Sequence, residues 1–232
     1  MTAINGSADL NGNSVFGSTT TGKGGVILSG NNITLTNGTL NGTVRSGNGS
    51  GVLLTGGSNY TLDGASVTGT AVDGSGITIN GSLTVNNGTS VEGHATASGN
   101  GVTVSGNLTT DIGDGISIVG TASSGDGIKV DGDATLTNAL LNGSADSGVG
   151  ANIAGNLTTD SATQVSGHAA SGTGVRLGAG LTGATVKGSS DTGTGLQLAD
   201  NAVVTEAVLS GTSASGDGVA FTGKVMLDDT SA

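Results

Sequence analysis

The chain has 232 residues, 47 of them Gly and none Cys, Pro or Trp, and its 6 basic and 17 acidic side chains leave a net charge of −11. Without Cys there is no disulfide framework, thiolate metal site or thiol nucleophile, and six scattered cations offer no surface for nucleic acid phosphates or for anionic membranes. No apolar run approaches the roughly 20 residues of a membrane helix, so this segment is not expected to insert, and Met1-Thr2-Ala3-Ile4-Asn5 lacks the basic and apolar regions of a signal peptide.

Gly, Ser, Thr and Asn dominate, yet 34% of residues are hydrophobic and their spacing is regular, which a disordered chain would not show. Residues 1–24 are expected to form an irregular N-terminal coil, with Leu10-Asn11-Gly12-Asn13-Ser14 as a partial copy of a pattern that recurs later. Regular coils are expected over residues 25–227. The first reads Gly25-Val26-Ile27-Leu28, then Ile33-Thr34-Leu35, then Leu40-Asn41-Gly42-Thr43-Val44. The next repeats that order as Gly51-Val52-Leu53-Leu54, Tyr60-Thr61-Leu62 and Val67-Thr68-Gly69-Thr70-Ala71. Gly76-Ile77-Thr78-Ile79, Leu83-Thr84-Val85 and Val91-Glu92-Gly93-His94-Ala95 follow. The coil opened by Gly101 departs from the rest: an additional Gly115-Ile116-Ser117-Ile118 predicts a bulge or small loop around Asp111 to Gly115. Further coils open at Gly127, Gly150, Gly174, Gly195 and Gly218, and the last reaches Val225-Met226-Leu227 before a tail over 228–232. The opening pattern occurs nine times with gaps of 21 to 26 residues, about 24 on average.

Each pattern alternates with period two, so each predicts a short strand with one inward face. Three such strands per coil predict an all-β, single-stranded parallel β-helix (β-solenoid) of about nine coils in one domain spanning 1–232. A single coil cannot bury its aliphatics, whereas stacked coils form a continuous core. Gly42, Gly69, Gly93, Gly120, Gly143, Gly167, Gly188 and Gly211 point inward by parity, where only Gly fits a close backbone approach or a positive φ.

Coils rich in Asn-Gly-Thr, Gly-Asn-Leu-Thr and Ser-Gly-x-Gly-Val, without Cys or Pro, resemble the passenger domains of bacterial autotransporter adhesins and the shafts of two-partner-secreted, filamentous-haemagglutinin-like adhesins. The similarity runs from about Ala3 to Leu227. It implies a right-handed β-helix exported to the bacterial cell surface or the extracellular space, and a role in cell adhesion, self-aggregation, biofilm or virulence. The chain has no Asn-Pro secretion-domain motif and no C-terminal outer-membrane barrel, so it is expected to be an internal segment of a longer passenger.

Candidate sites follow from parity. Thr34, Thr61, Thr84, Thr109, Thr135, Thr158 and Thr182 form an outward column, read as a self-association or binding face; β-propensity and hydroxyl laddering are its plainer explanation. Ile27 and Leu53 fill an outward slot in adjacent coils and form a second candidate, an apolar contact. His94 and His168 occupy one outward slot three coils apart, roughly 14 Å, too far to share a metal. The Glu92/His94 and Ser166/His168 pairs have no evident third partner. Asp111, Asp114, Asp126, Asp131 and Asp133, with Lys129 near, are the densest acidic run, but most Asp here precede Gly in turns. No catalytic residue, metal site or cofactor is assigned. The expected function is therefore structural and adhesive, not enzymatic, with the chain itself or a host-cell receptor or glycan as partner. A passive stalk is the alternative, ahead of an ice-binding protein, which would want a second Thr file, and of a polysaccharide-active enzyme.

Overall fold

A computed structural model describes residues 2–111, 113, 115–183 and 185–228. Asp114, named in the acidic run, and the tail beyond Asp228 lie outside them. The chain is all-β, with parallel strands stacked as a β-solenoid of about nine turns. Three parallel ladders run its length. The first sheet stacks the opening patterns, with Val26, Val52, Ile77, Val102, Ile128, Ala151, Val175, Leu196 and Val219 in one register column. The second stacks the Thr-centred strands, and the third stacks the Gly-centred ones, from Ser14–Thr19 to Val208–Ser213. In the coils Ile33–Val44 and Asn59–Ala71 one strand runs unbroken through the second and third sheets.

Residues 2–24 depart from the expectation of irregularity. Thr2–Asn5 pairs with Val26–Ser29, Ala8–Asp9 with Leu35–Thr36, and Ser14–Thr19 with Thr39–Val44. The partial copy at Leu10 is also corrected: Gly17, not Gly12, stacks on Gly42. Asn11 and Gly12 instead take φ +47° and +79° and form a turn. The additional Gly115-Ile116-Ser117-Ile118 belongs to the third sheet, where Ile116 pairs with Ala139 and Ile118 with Val91 and Leu141. Of the loop expected around it, Gly113 and Gly115 have φ +136° and +78°, while Ile112 lies outside the described residues.

The core is built as columns. In the interior coils the inward Val, Leu and Ile of the three sheets are almost fully buried, and Tyr60 joins them with its hydroxyl bonded to the Gly57 carbonyl. β-Branched and leucine side chains suit this stacking because each repeats its neighbour's position on a pleated surface. The first and third sheets meet without side chains. A Cβ on any third-sheet Gly, such as Gly120 or Gly143, would strike the carbonyl of Gly127 or Gly150 across the core. The opening glycines face the same restriction in reverse: a Cβ on Gly101 or Gly127 would strike the backbone of Thr121 or Ser144. Close approach, not a positive φ, reserves both columns for Gly.

Corners are made by residues in the left-handed region. Between the second and third sheets these are Asn37 at φ +46°, Gly64 at +61°, Asn87 at +49° and Asn138 at +47°; Asn and Gly are the residues that tolerate this conformation. Side chains then carry the ladder through the bends. The Asn107 N–H donates to Ser82 Oγ, the Asp133 N–H to Asn107 Oδ1, the Asn156 N–H to Asp133 Oδ1 and the Gly180 N–H to Asn156 Oδ1, at 2.7–3.1 Å. Ser75, Asn100 and Asp126 make a second such ladder. Inside the corner the buried Thr89 hydroxyl donates to the Asn86 carbonyl at 2.5 Å, has the Leu62 carbonyl at 3.3 Å, and accepts from the Ala65 N–H. Backbone groups that leave a strand ladder are thereby satisfied.

Asp160 closes one such corner. Its carboxylate accepts from the Thr163 hydroxyl at 2.6 Å, the Thr163 N–H at 2.9 Å and the Asn138 N–H at 3.2 Å. The Thr163 hydroxyl bond, helped by the backbone donors and opposed by desolvation, holds this carboxyl below the usual aspartate value. A depressed folded pKa gives stability that is present above the unfolded value, about 3.9, and lost as pH falls through the folded one. Asp160→Asn is therefore expected to lower the urea midpoint at pH 5 to 7, with the gap to the parent protein closing as pH drops below about 4. A gap unchanged at low pH would show that the charge does not contribute.

Candidate functional site

The Thr column lies on the second sheet in unbroken register. Thr34, Thr61, Thr84, Thr109, Thr135, Thr158 and Thr182 stack directly, and Thr205 extends the file by one coil. Thr205 is preceded by Ala202-Val203-Val204 where Thr109 and Thr158 are preceded by Gly-Asn-Leu, which hides it in the sequence. The first four hydroxyls are half-buried, and Thr135, Thr158 and Thr182 are exposed. Among the described residues none of these hydroxyls makes an intramolecular hydrogen bond, so they do not ladder to one another. Thr135, Thr158 and Thr182 line a shallow depression of about 350 Å³ with Asp133 and Asn156. This places unpartnered donors and acceptors at a coil repeat of roughly 4.8 Å.

Ile27 and Leu53 are adjacent in the first sheet's outward file and half-buried. Ala3 continues the file on one side and Thr78 on the other. The apolar pair is thus local to two coils.

The third sheet carries the broader surface. Its strands expose three parallel files. One runs Thr39, Ser66, Ser90, Ser117, Leu140, Gln164, Thr185, Val208; the next runs Asn41, Thr68, Glu92, Val119, Asn142, Ser166, Lys187, Ser210. The last runs Thr43, Thr70, His94, Thr121, Ser144, His168, Ser189, Thr212. Neighbouring files are about 7 Å apart, two residues along a strand. A second and third hydroxyl-rich file therefore exist, but beside each other here and not beside the Thr column.

His94 has the third partner that its sequence context did not reveal. Its Nε2 lies 3.1 Å from Glu92 Oε1, and its Nδ1 lies 2.7 Å from Thr121 Oγ1 in the next coil. His168 has Ser189 Oγ at 3.1 Å. Thr121 is 27 residues from His94, and only the coil register brings them together. A hydroxyl–imidazole–carboxylate chain has the order of a nucleophilic relay. Here it lies on an open strand face, and the Val119 to Ala122 stretch sits in parallel ladders on both sides, with no pair of free N–H groups aimed at a common point as an oxyanion site requires.

Three of the acidic run's carboxylates have local partners. Asp126 accepts from the Val149 N–H and Asn152, Asp133 from the Asn156 N–H, and Asp131 pairs with Lys129. Among the described residues no group of three or more His, Asp or Glu could hold a metal ion, and no helix is long and apolar enough to cross a membrane. No protein-family model matches the chain, and no curated protein or solved structure compared with it is similar.

Proposed function

We propose that the chain is a non-enzymatic adhesive rod, an exported segment of a bacterial surface protein that associates with itself or with a host receptor through its repeated polar faces. The observation that supports this most is the Thr file, with register over eight coils and hydroxyls left without intramolecular partners. Many weak hydrogen bonds along two such faces add up when the rods lie side by side, because each contact raises the effective concentration of the next. The resemblance of the coil patterns to autotransporter passengers supports the location and the adhesive role.

At net −11, two copies repel at low salt. Near 0.15 M the Debye length is roughly 8 Å and distant charges are screened. Purified protein is expected to associate in sedimentation velocity and light scattering as concentration rises, and more strongly at 0.15 M salt than at a tenth of that. A strict monomer at every concentration and salt would overturn self-association and leave a stalk or a foreign receptor.

A further inference from the structure

The third sheet's outward surface, like the other strand faces of this acidic chain, carries little charge, but it holds one residue of each sign. Among its outward residues in the described strands only Glu92 and Lys187 carry formal charge. They stand in the same file. The register runs Glu92, Val119, Asn142, Ser166, Lys187, so Asn142 is midway between them. Beside Asn142 in the same coil is Leu140, 38% exposed. Among the described residues it is the one exposed large hydrophobic between Phe16 and Val203.

This arrangement is its own complement. The geometry points to a two-fold homodimer in which two copies pack third sheet against third sheet, running in opposite directions. The dyad lies along the strand Ala139–Ala145. This rests on the self-association reading above, but places the pairwise contact on the third sheet instead of the second-sheet Thr file, and gives it a direction. Rotation about that line keeps each file opposite itself and reverses the order of coils. Glu92 then meets Lys187 of the second copy, and Lys187 meets Glu92 of the second copy, while Leu140 meets its own counterpart on the axis. Ser117 faces Gln164, and Thr121 faces His168, so the hydroxyl files meet hydrogen-bonding groups. Copies running the same way would instead set Glu92 against Glu92 and Lys187 against Lys187.

Two further observations fit a second copy as occupant. Lys187 makes no ion pair within the described residues, and it lines a shallow depression of about 430 Å³ with His168 and Ser189, opposite where Glu92 and His94 of the second copy would sit. The overlap extends from the coil of Asn59–Ala71 to that of Val208–Ser213. At roughly 4.8 Å per coil and 20 Å of strand, it covers about 700 Å² per copy, about 1,400 Å² in all, which is within the range of specific complexes. Asp146, exposed at the turn past this sheet, approaches its counterpart only at the rim, where water and salt screen the pair.

The test is a charge swap read by sedimentation equilibrium at 0.15 M salt. Glu92→Lys and Lys187→Glu are expected each to weaken homodimerisation about tenfold or more, since each turns two attractions into two repulsions. Glu92→Lys should do so although it brings the chain's −11 two charges closer to zero. An equimolar mixture of the two variants should restore association as a heterodimer, because both cross-pairs are again attractive and the total charge equals that of the parent dimer. Leu140→Asp should abolish the dimer at a cost of no more than about 1 kcal/mol in the stability of the monomer, since the side chain is 38% exposed on a strand face. Dimerisation that survives both single swaps, or a mixture that fails to recover, overturns this interface and leaves association through another face. A parent protein that stays monomeric overturns the association reading itself.

Discussion

Gly143→Ala is expected to destabilise the solenoid by about 3 kcal/mol or more. The added methyl points at the Gly150 carbonyl across the core, and that carbonyl belongs to the strand Val149–Ile153, which has parallel partners on both sides. Neither a rotamer change nor a local shift makes room, since a side chain elsewhere in the core could move but a stacked backbone cannot. One coil would have to move away from its neighbours. In a structure where each coil contacts only the next, an interior break divides the rod into two shorter and weaker ones, so the urea transition should broaden as well as fall. Gly47→Ala is the control. Gly47 has φ +79° with nothing within 4 Å of its missing Cβ, so it should lose only about 1 kcal/mol, from the strained φ. Equal losses at the two sites would mean that conformational freedom, not space, reserves the third-sheet column for Gly.

That column shows why the fold was legible in the sequence. Its glycines recur at every coil because one steric rule applies at every coil, and the aliphatic columns recur for the same reason. Inward positions are constrained by neighbours that are themselves repeats, so they print a period. The N-terminal coil was misread where a turn imitates a strand. Leu10-Asn11-Gly12 has the letters of the Gly-centred pattern, but Asn-Gly also makes left-handed corners, and it does so here, with the true copy five residues later at Gly17. The unbroken strands Ile33–Val44 and Asn59–Ala71 were likewise invisible, because Asn37 and Gly64 serve as corner residues while pairing continues past them.

The candidate site was less legible, and for a physical reason. Outward positions need only tolerate water, so Leu140, Asn142 and Lys187 follow no period. Parity placed the Thr column on one face and the two histidines in one slot. It could not show that His94 touches Thr121, nor that Glu92 and Lys187 flank Asn142 at equal intervals. Both depend on counting coils whose lengths vary from 21 to 26 residues. A register error of one coil moves a charge by roughly 4.8 Å and destroys the symmetry.

Position along the rod, rather than residue type, should set the second large effect. Leu157, Leu181, Val204 and Leu227 occupy one inward column of the second sheet. Leu157 is 0% exposed and Leu227 is 64% exposed. Leu157→Ala removes a side chain enclosed by coils above and below and leaves a cavity that the ladders prevent from collapsing; it is expected to lose about 3 kcal/mol or more. Leu227→Ala removes the same atoms from a site already in contact with water, so the loss should stay within about 0.5 kcal/mol. Between them the burial falls in steps: Val204 is still 1% exposed, while Val219 and Phe221 of the last first-sheet strand are 37% and 51% exposed. Core packing therefore ends about one coil before the last described strand. Thermal and urea midpoints of the two variants measure this directly. If Leu227→Ala matched Leu157→Ala, the last coil would be packed in solution as tightly as the centre, and contacts beyond those within the described residues would have to cover it.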